Sequence, residues 1–111
     1  QMGRPFSDVR NDPEVWGRLV ESAVGSHLLN SIRGTGGELF YWRDLNREVD
    51  FVVQRGREIV AIEVKSGLSR AVEPGMEAFA TQFHPKRLLL VGEKGIAVEK
   101  FLRMSLDEIF R

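Results

Sequence analysis

The 111-residue chain contains no cysteine, which excludes a disulfide framework and any thiolate metal centre. A cysteine-free chain fits a reducing compartment, and the cytoplasm is the expected location. Its apolar runs are only a few residues long, far short of the roughly 20 residues that a membrane-spanning helix needs, so no membrane partner is expected. An excess of either charge is also lacking: 16 Lys plus Arg balance 16 Asp plus Glu. Free-standing nucleic-acid binders usually carry a basic excess, because phosphate contacts supply most of their affinity. Neutrality counts against that class, less so where a neighbouring domain delivers the substrate. There is no internal repeat and no low-complexity tract. What remains, with 42% hydrophobic and 29% charged residues, is the composition of one globular domain with a single core.

Gln1 precedes Met2, an unusual start that suggests a domain cut from a longer chain. Residues 1–13, with Gly3, Pro5, Asn11 and Pro13, read as a linker or arm, and 14–111 as the folded domain. From Glu14 the pattern turns helical: Trp16, Leu19, Val20, Ala23, Val24, His27 and Leu28 recur at the spacing of one helix face. Gly34, Gly36 and Gly37 stop it near Arg33.

Three strands are expected next, at 39–42, 48–54 and 58–65. A loop at 67–73 leads to a second helix that opens at Pro74, carries Met76, Phe79, Ala80 and Phe83 on one face, and ends at His84-Pro85. The continuous run Arg87–Val91 predicts a strand covered on both faces. Ile96–Val98 reads as a further short strand, and Ser105-Leu106-Asp107-Glu108 as a capping box opening a last helix. The fold class is α/β: a mixed four- to five-stranded sheet flanked by helices.

Gly56-Arg57 is a two-residue loop with glycine first, the signature of a type II′ hairpin. With that loop, Val53 faces Val60, Phe51 faces Ile62 and Val49 faces Val64 on one apolar side. On the other side Val52 meets Ala61, Asp50 meets Glu63 and Glu48 meets Lys65. A one-residue slip would turn every side chain to the wrong face, so the apolar matches support this register. Opposed residues have Cβ atoms roughly 5 Å apart. Two carboxylates so placed repel unless a cation lies between them, and Mg²⁺ is bound in this manner by one or two carboxylates with waters and substrate phosphate. Lys65, two residues beyond Glu63, is placed to orient water or to neutralise charge on a phosphate under attack.

An Asp, a gap, then Glu-X-Lys on consecutive hairpin strands resembles the PD-(D/E)XK phosphodiesterase superfamily; here it reads Val49-Asp50, then Glu63-Val64-Lys65. Val49 stands where that family has proline, and Glu21, within Gly17-Arg18-Leu19-Val20-Glu21, matches the first-helix glutamate of many members. The resemblance covers residues from about 14 to 92 and implies a restriction-endonuclease-like core. It implies metal-dependent cleavage of DNA with Mg²⁺ or Mn²⁺ held by Asp50, Glu63, the Val64 carbonyl and Glu21. Lys65 would assist catalysis. The phrases from Trp16 to Gly25, Tyr41-Trp42-Arg43 and Glu48–Val52 also resemble the C-terminal domain of certain archaeal and bacterial AAA+ ATPases. That likeness implies an ATPase domain as partner in the same longer chain; a homo-oligomer stays open.

Blander readings exist for each residue. Asp50 and Glu63 on a solvated strand face, Lys65 pairing with Glu48, and Glu21 pairing with Arg18 or Arg33 would all be ordinary surface chemistry. His27, inside the helix stripe, is expected to be packed rather than a ligand, and His84 is given no role. Gln82 is similar to a glutamine of some exonuclease-like relatives, although Lys86 stands where their tyrosine is expected. Arg43, Arg47, Arg70, Lys86 and Arg87 are candidates for phosphate contacts, or simply solvated. The alternative to a nuclease is a catalytically inactive nuclease-fold module for protein or DNA interaction.

Overall fold

The computed structural model describes residues 12–65 and 74–111. Most of the expected arm, the loop at 67–73 and Arg70 lie outside the described residues. The chain builds α1 (Pro13–Ile32), β1 (Glu38–Asp44), β2 (Arg47–Arg55), β3 (Glu58–Lys65), α2 (Pro74–Phe83), β4 (Arg87–Gly92), α3 (Val98–Phe101) and α4 (Leu106–Phe110). The four strands form one sheet in the order β1-β2-β3-β4, with β1–β2 and β2–β3 antiparallel and β3–β4 parallel. It is the expected mixed α/β architecture.

Helix α1 starts one residue earlier than its apolar pattern, because Asp12 caps it. The Asp12 Oδ1 accepts the amides of Glu14 at 3.1 Å and Val15 at 3.2 Å, satisfying donors that a helix start would leave orphaned. Val20, Val24 and Leu28, four residues apart, are buried against the sheet. They join Val53, Val60, Ile62, Leu89 and Val91 from the strands, and Phe101, Leu106, Ile109 and Phe110 from α3 and α4, in the main core. Each such side chain contributes about 1.5–3 kcal/mol on burial. His27 belongs to this packing: its Nε2 lies 2.9 Å from the Met104 carbonyl and its ring meets Phe101 edge-on.

The opposite sheet face carries a smaller cluster of Val49, Val52 and Ala61 under Met76 and Phe79 of α2, with Trp42 edge-on to Phe79 at 5.5 Å. Helix α2 packs over β2 and β1. It leaves β4 uncovered there, so the expectation of a strand buried on both faces fails: Leu89 and Val91 are buried, but Leu88 is 46% exposed. The expected strand at 96–98 is reduced to one parallel bridge between Ile96 and Val91, and Val98 already begins α3.

The Ser105 capping box is present in both directions. Arg87 reaches α4 from the start of β4, its Nη1 donating to the carbonyls of Glu108 at 2.8 Å and Ile109 at 3.1 Å. Arg55 bonds Asp107 at 2.7 Å and stacks over the Phe110 ring, while Lys86 pairs with Glu58 at 3.0 Å. Two of the basic residues considered for phosphate contact, Lys86 and Arg87, therefore have partners within the fold.

Candidate active site at the open end of a hairpin

The β2–β3 hairpin is regular at its turn and opens at its far end. Gly56 takes φ +63°, as the first residue of a II′ turn requires, and pairing runs as expected from Arg55–Glu58 through Val53–Val60 to Phe51–Ile62. Regular pairing stops there. Across β2's other edge the register with β1 shifts between Phe40–Val52 and Trp42–Val49, so Tyr41 alone stands opposite both Asp50 and Phe51. That is a β-bulge, one extra residue in β2, and it reverses the side-chain alternation beyond it.

The bulge overturns part of the expected register. Val49 does not share the face of Phe51 and Val53; it packs with Val52 and Ala61 beneath α2. Phe51 stays on the α1 side, where its ring packs close to Gly25: a Cβ there would lie 3.1 Å from it. From the other side α2 closes on β2 so tightly that a Cβ on Gly75 would fall 2.1 Å from the Glu48 carbonyl oxygen. The bulged segment thus lies between α1, which meets the Phe51 ring, and α2, which meets the Glu48 backbone.

Beyond the last regular pair, two carboxylates carry the contact between strands. The Asp50 amide donates to Glu63 Oε1 at 3.2 Å, and the Val64 amide donates to Asp50 Oδ2 at 2.8 Å. Each acid therefore grips the backbone of the other's strand. Such bonds to charged acceptors contribute about 1.5–3 kcal/mol each, and they fix both carboxylates in orientation. Glu63, at 6% exposure, is the one buried charged side chain among the described residues. Asp50 and Glu63 are brought together as expected, though through amides rather than as a directly opposed ladder pair.

Glu21 comes to the same place from α1. Its carboxyl is raised above the ordinary glutamate range, first by burial and then by the negative charges of Asp50 and Glu48. The expected surface pairing with Arg18 is pre-empted, since Arg18 bonds Glu14 one turn earlier. Glu21, Tyr41, Arg43, Glu48, Asp50 and Phe51 line one open cleft. Glu48 faces Arg43 across the β1–β2 pair and bonds it at 3.0 Å; the expected pairing of Glu48 opposite Lys65 is replaced by this ion pair. Lys65 stands at the end of β3, half-buried, beside Gly92 of β4. Gln82 lies apart, with Arg47 in a separate surface hollow.

Sequence reasoning missed two members of this cleft. Glu48 was read as a partner for Lys65 and Tyr41 as part of an aromatic strand, both within phrases that carry the ATPase-domain resemblance, and neither as a site residue. The signal was available in Trp42-Arg43 and Glu48-Val49, since a two-residue Leu45-Asn46 turn sets Arg43 across from Glu48.

Two carboxylates held by backbone amides, beside a third acid raised toward its neutral form by burial and then by its neighbours' charge, concentrate negative charge at this end of the hairpin. Among the described residues, no group of three or more His, Cys, Asp or Glu is already arranged about one metal position. The donor set fits an ion taking one or two carboxylates and completing its shell with water and phosphate.

Fold and site together define a small α/β domain with a carboxylate pair at a bulged hairpin. The family pattern described as "Domain of unknown function (DUF4143)" matches residues 16–106, and the chain belongs to that family. Comparison with curated proteins gives no match.

Proposed function

We propose that this domain hydrolyses phosphodiester bonds of DNA with a divalent ion, Mg²⁺ or Mn²⁺, and that it works in the cytoplasm beside an ATPase domain of a longer chain. The observation that carries this reading is the reciprocal fixing of Asp50 and Glu63 on adjacent strands, with Glu21 electrostatically coupled to Asp50. Asp50 and Glu63 would hold the ion, with the Val64 carbonyl and Glu21 as further ligands. When bound, the ion would polarise the phosphate and acidify a water. The chain's own residues supply the rest. The amide bonds keep both carboxylates aimed without rearrangement, and Lys65, two residues beyond Glu63, neutralises charge that builds on the phosphate oxygens.

The test is cleavage of a DNA panel (plasmid, linear duplex, single-stranded and branched) by purified protein with Mn²⁺. Parent protein should consume at least one substrate, and Asp50→Asn and Lys65→Ala should each be slower by about 10²–10⁴-fold. Equal rates in parent and Asp50→Asn would assign the cutting to another protein. An intact panel, even with the ATPase portion joined, would sink the reading.

The second reading is a non-catalytic module that docks on the ATPase or another partner. The zero net charge favours it, as does the exposure of Phe40, Tyr41 and Leu45 on and beyond β1.

A further inference from the structure

Tyr41 is the feature of the cleft that the chemistry above does not use. It is 72% exposed, although its neighbour Trp42 packs against α2. Leu39, Phe40, Tyr41 and Arg43 of β1 all line the cleft that holds Asp50 and Glu21, and Tyr41 is the more exposed of the aromatic pair. The bulge sets Tyr41 directly across from Asp50 and Phe51. An aromatic ring that stands out of an edge strand beside fixed carboxylates has the exposed face on which an unpaired base can stack.

The charge distribution says which nucleic acid fits. Affinity for duplex DNA comes mainly from basic groups on phosphates, and this chain offers no net positive charge. Several of its basic side chains are committed within the fold: Arg43 to Glu48, Arg55 to Asp107, Lys86 to Glu58 and Arg87 to α4 carbonyls. The attraction must come largely from stacking. In a duplex each base face is covered by its neighbour, so only an unpaired base can lie on a tyrosine. The acids of the cleft would repel the strand's phosphates unless a cation screens them.

We infer that the cleft takes single-stranded DNA, with one unpaired base stacked on Tyr41 and the adjoining phosphate lying at the Asp50–Glu63 pair when a divalent cation is present. This rests on the proposed nuclease site and names its substrate class. Among the described residues β1 is an edge of the sheet, which leaves the strand a way in beside Tyr41.

The experiment measures binding separately from cutting. A labelled 12-nucleotide oligothymidylate and a 12-base-pair duplex are titrated with the intact chain by fluorescence anisotropy, in Ca²⁺ and again in chelator. The single strand should bind at least tenfold more tightly than the duplex in Ca²⁺, and less well in chelator. Tyr41→Ala should weaken single-strand binding by roughly 5- to 150-fold, while Tyr41→Phe, which keeps the ring, should retain it. Circular dichroism and melting of both variants should match the parent. Equal affinity for the two DNA forms, no binding of either, or a Tyr41→Ala affinity like the parent's would overturn the inference. The two proposals fail separately. Tight single-strand binding without cleavage in Mn²⁺ removes the nuclease and keeps the platform; cleavage unaffected by Tyr41→Ala removes the platform and keeps the nuclease.

Discussion

The two ends of the β2–β3 hairpin are built from the same strands and obey different rules. At the turn end, Val53, Val60 and Ile62 are fully buried, regularly paired and covered by α1. Stability there is a matter of apolar volume. At the open end, pairing stops after Phe51–Ile62 and two carboxylates hold the strands through amides of the opposite strand. Stability there depends on acceptors and charge, and the segment is gripped from both sides by helices instead of filling a core. The difference teaches that the hairpin's regular half holds the core, while its irregular half holds two carboxylates in place, Glu63 buried and Asp50 at the cleft.

The largest stability effect should come from the turn end. Ile62→Ala empties a fully buried site and should cost about 2–5 kcal/mol in chemical denaturation. A loss below 1 kcal/mol would mean that the turn end is not the hairpin's apolar anchor.

The open end should respond to acceptor chemistry more than to size. Glu63→Ala strands the Asp50 amide and should cost about 1–3 kcal/mol. Glu63→Gln keeps an oxygen in place and should recover most of that loss, although either change should disable metal-dependent cleavage. If the two variants unfold at the same denaturant concentration, the amide bond contributes nothing and the contrast between the ends collapses.

The smallest effect is a pH dependence at Glu21. Its carboxyl is raised in the folded protein above the ordinary value of 4.5, so the native state holds this proton more tightly than the unfolded chain. The sign follows from linkage: stability from Glu21 is present below the unfolded pKa and is lost as pH rises through the folded one. Melts of parent and Glu21→Gln from pH 4 upward should show the parent losing ground to the variant as pH rises. Added Mg²⁺ should shrink that gap by screening Asp50 and Glu48. A gap that widens toward acid pH would place Glu21 beside a cation instead. Glu108 gives a built-in contrast. Its carboxyl is lowered by the Ser105 cap, so its contribution is lost as pH falls, and both proteins share it.

Much of the regular half was legible in the residues. Gly56-Arg57 set the turn, and Val53, Val60 and Ile62 set the register, because period-two alternation is a strong signal where one face is buried. The bulge was not legible. In Val49-Asp50-Phe51-Val52-Val53, apolar residues occupy both parities, and one sequence does not show which residue is the extra one. Asp50 and Glu63 were found by type and offset, but their bonds to amides depend on where pairing stops, which is a three-dimensional fact. The Leu88–Val91 run gave a strand without saying that α2 would turn away from it. Helix α3, four residues long, is too short to declare a period.

Strand β1 has a consequence for the behaviour of the protein in concentrated solution. It is a sheet edge among the described residues, and Leu39-Phe40-Tyr41-Trp42 along it is a tract with strong β propensity and no charge. Left bare, such an edge would template pairing with another molecule. Glu38 precedes the tract and Arg43-Asp44 follow it, all three exposed. They act as gatekeepers, because a second copy laid alongside in either direction would have to desolvate these charges. An aromatic side chain, Tyr41, thus stands in water along an edge whose flanking charges oppose pairing with a second copy.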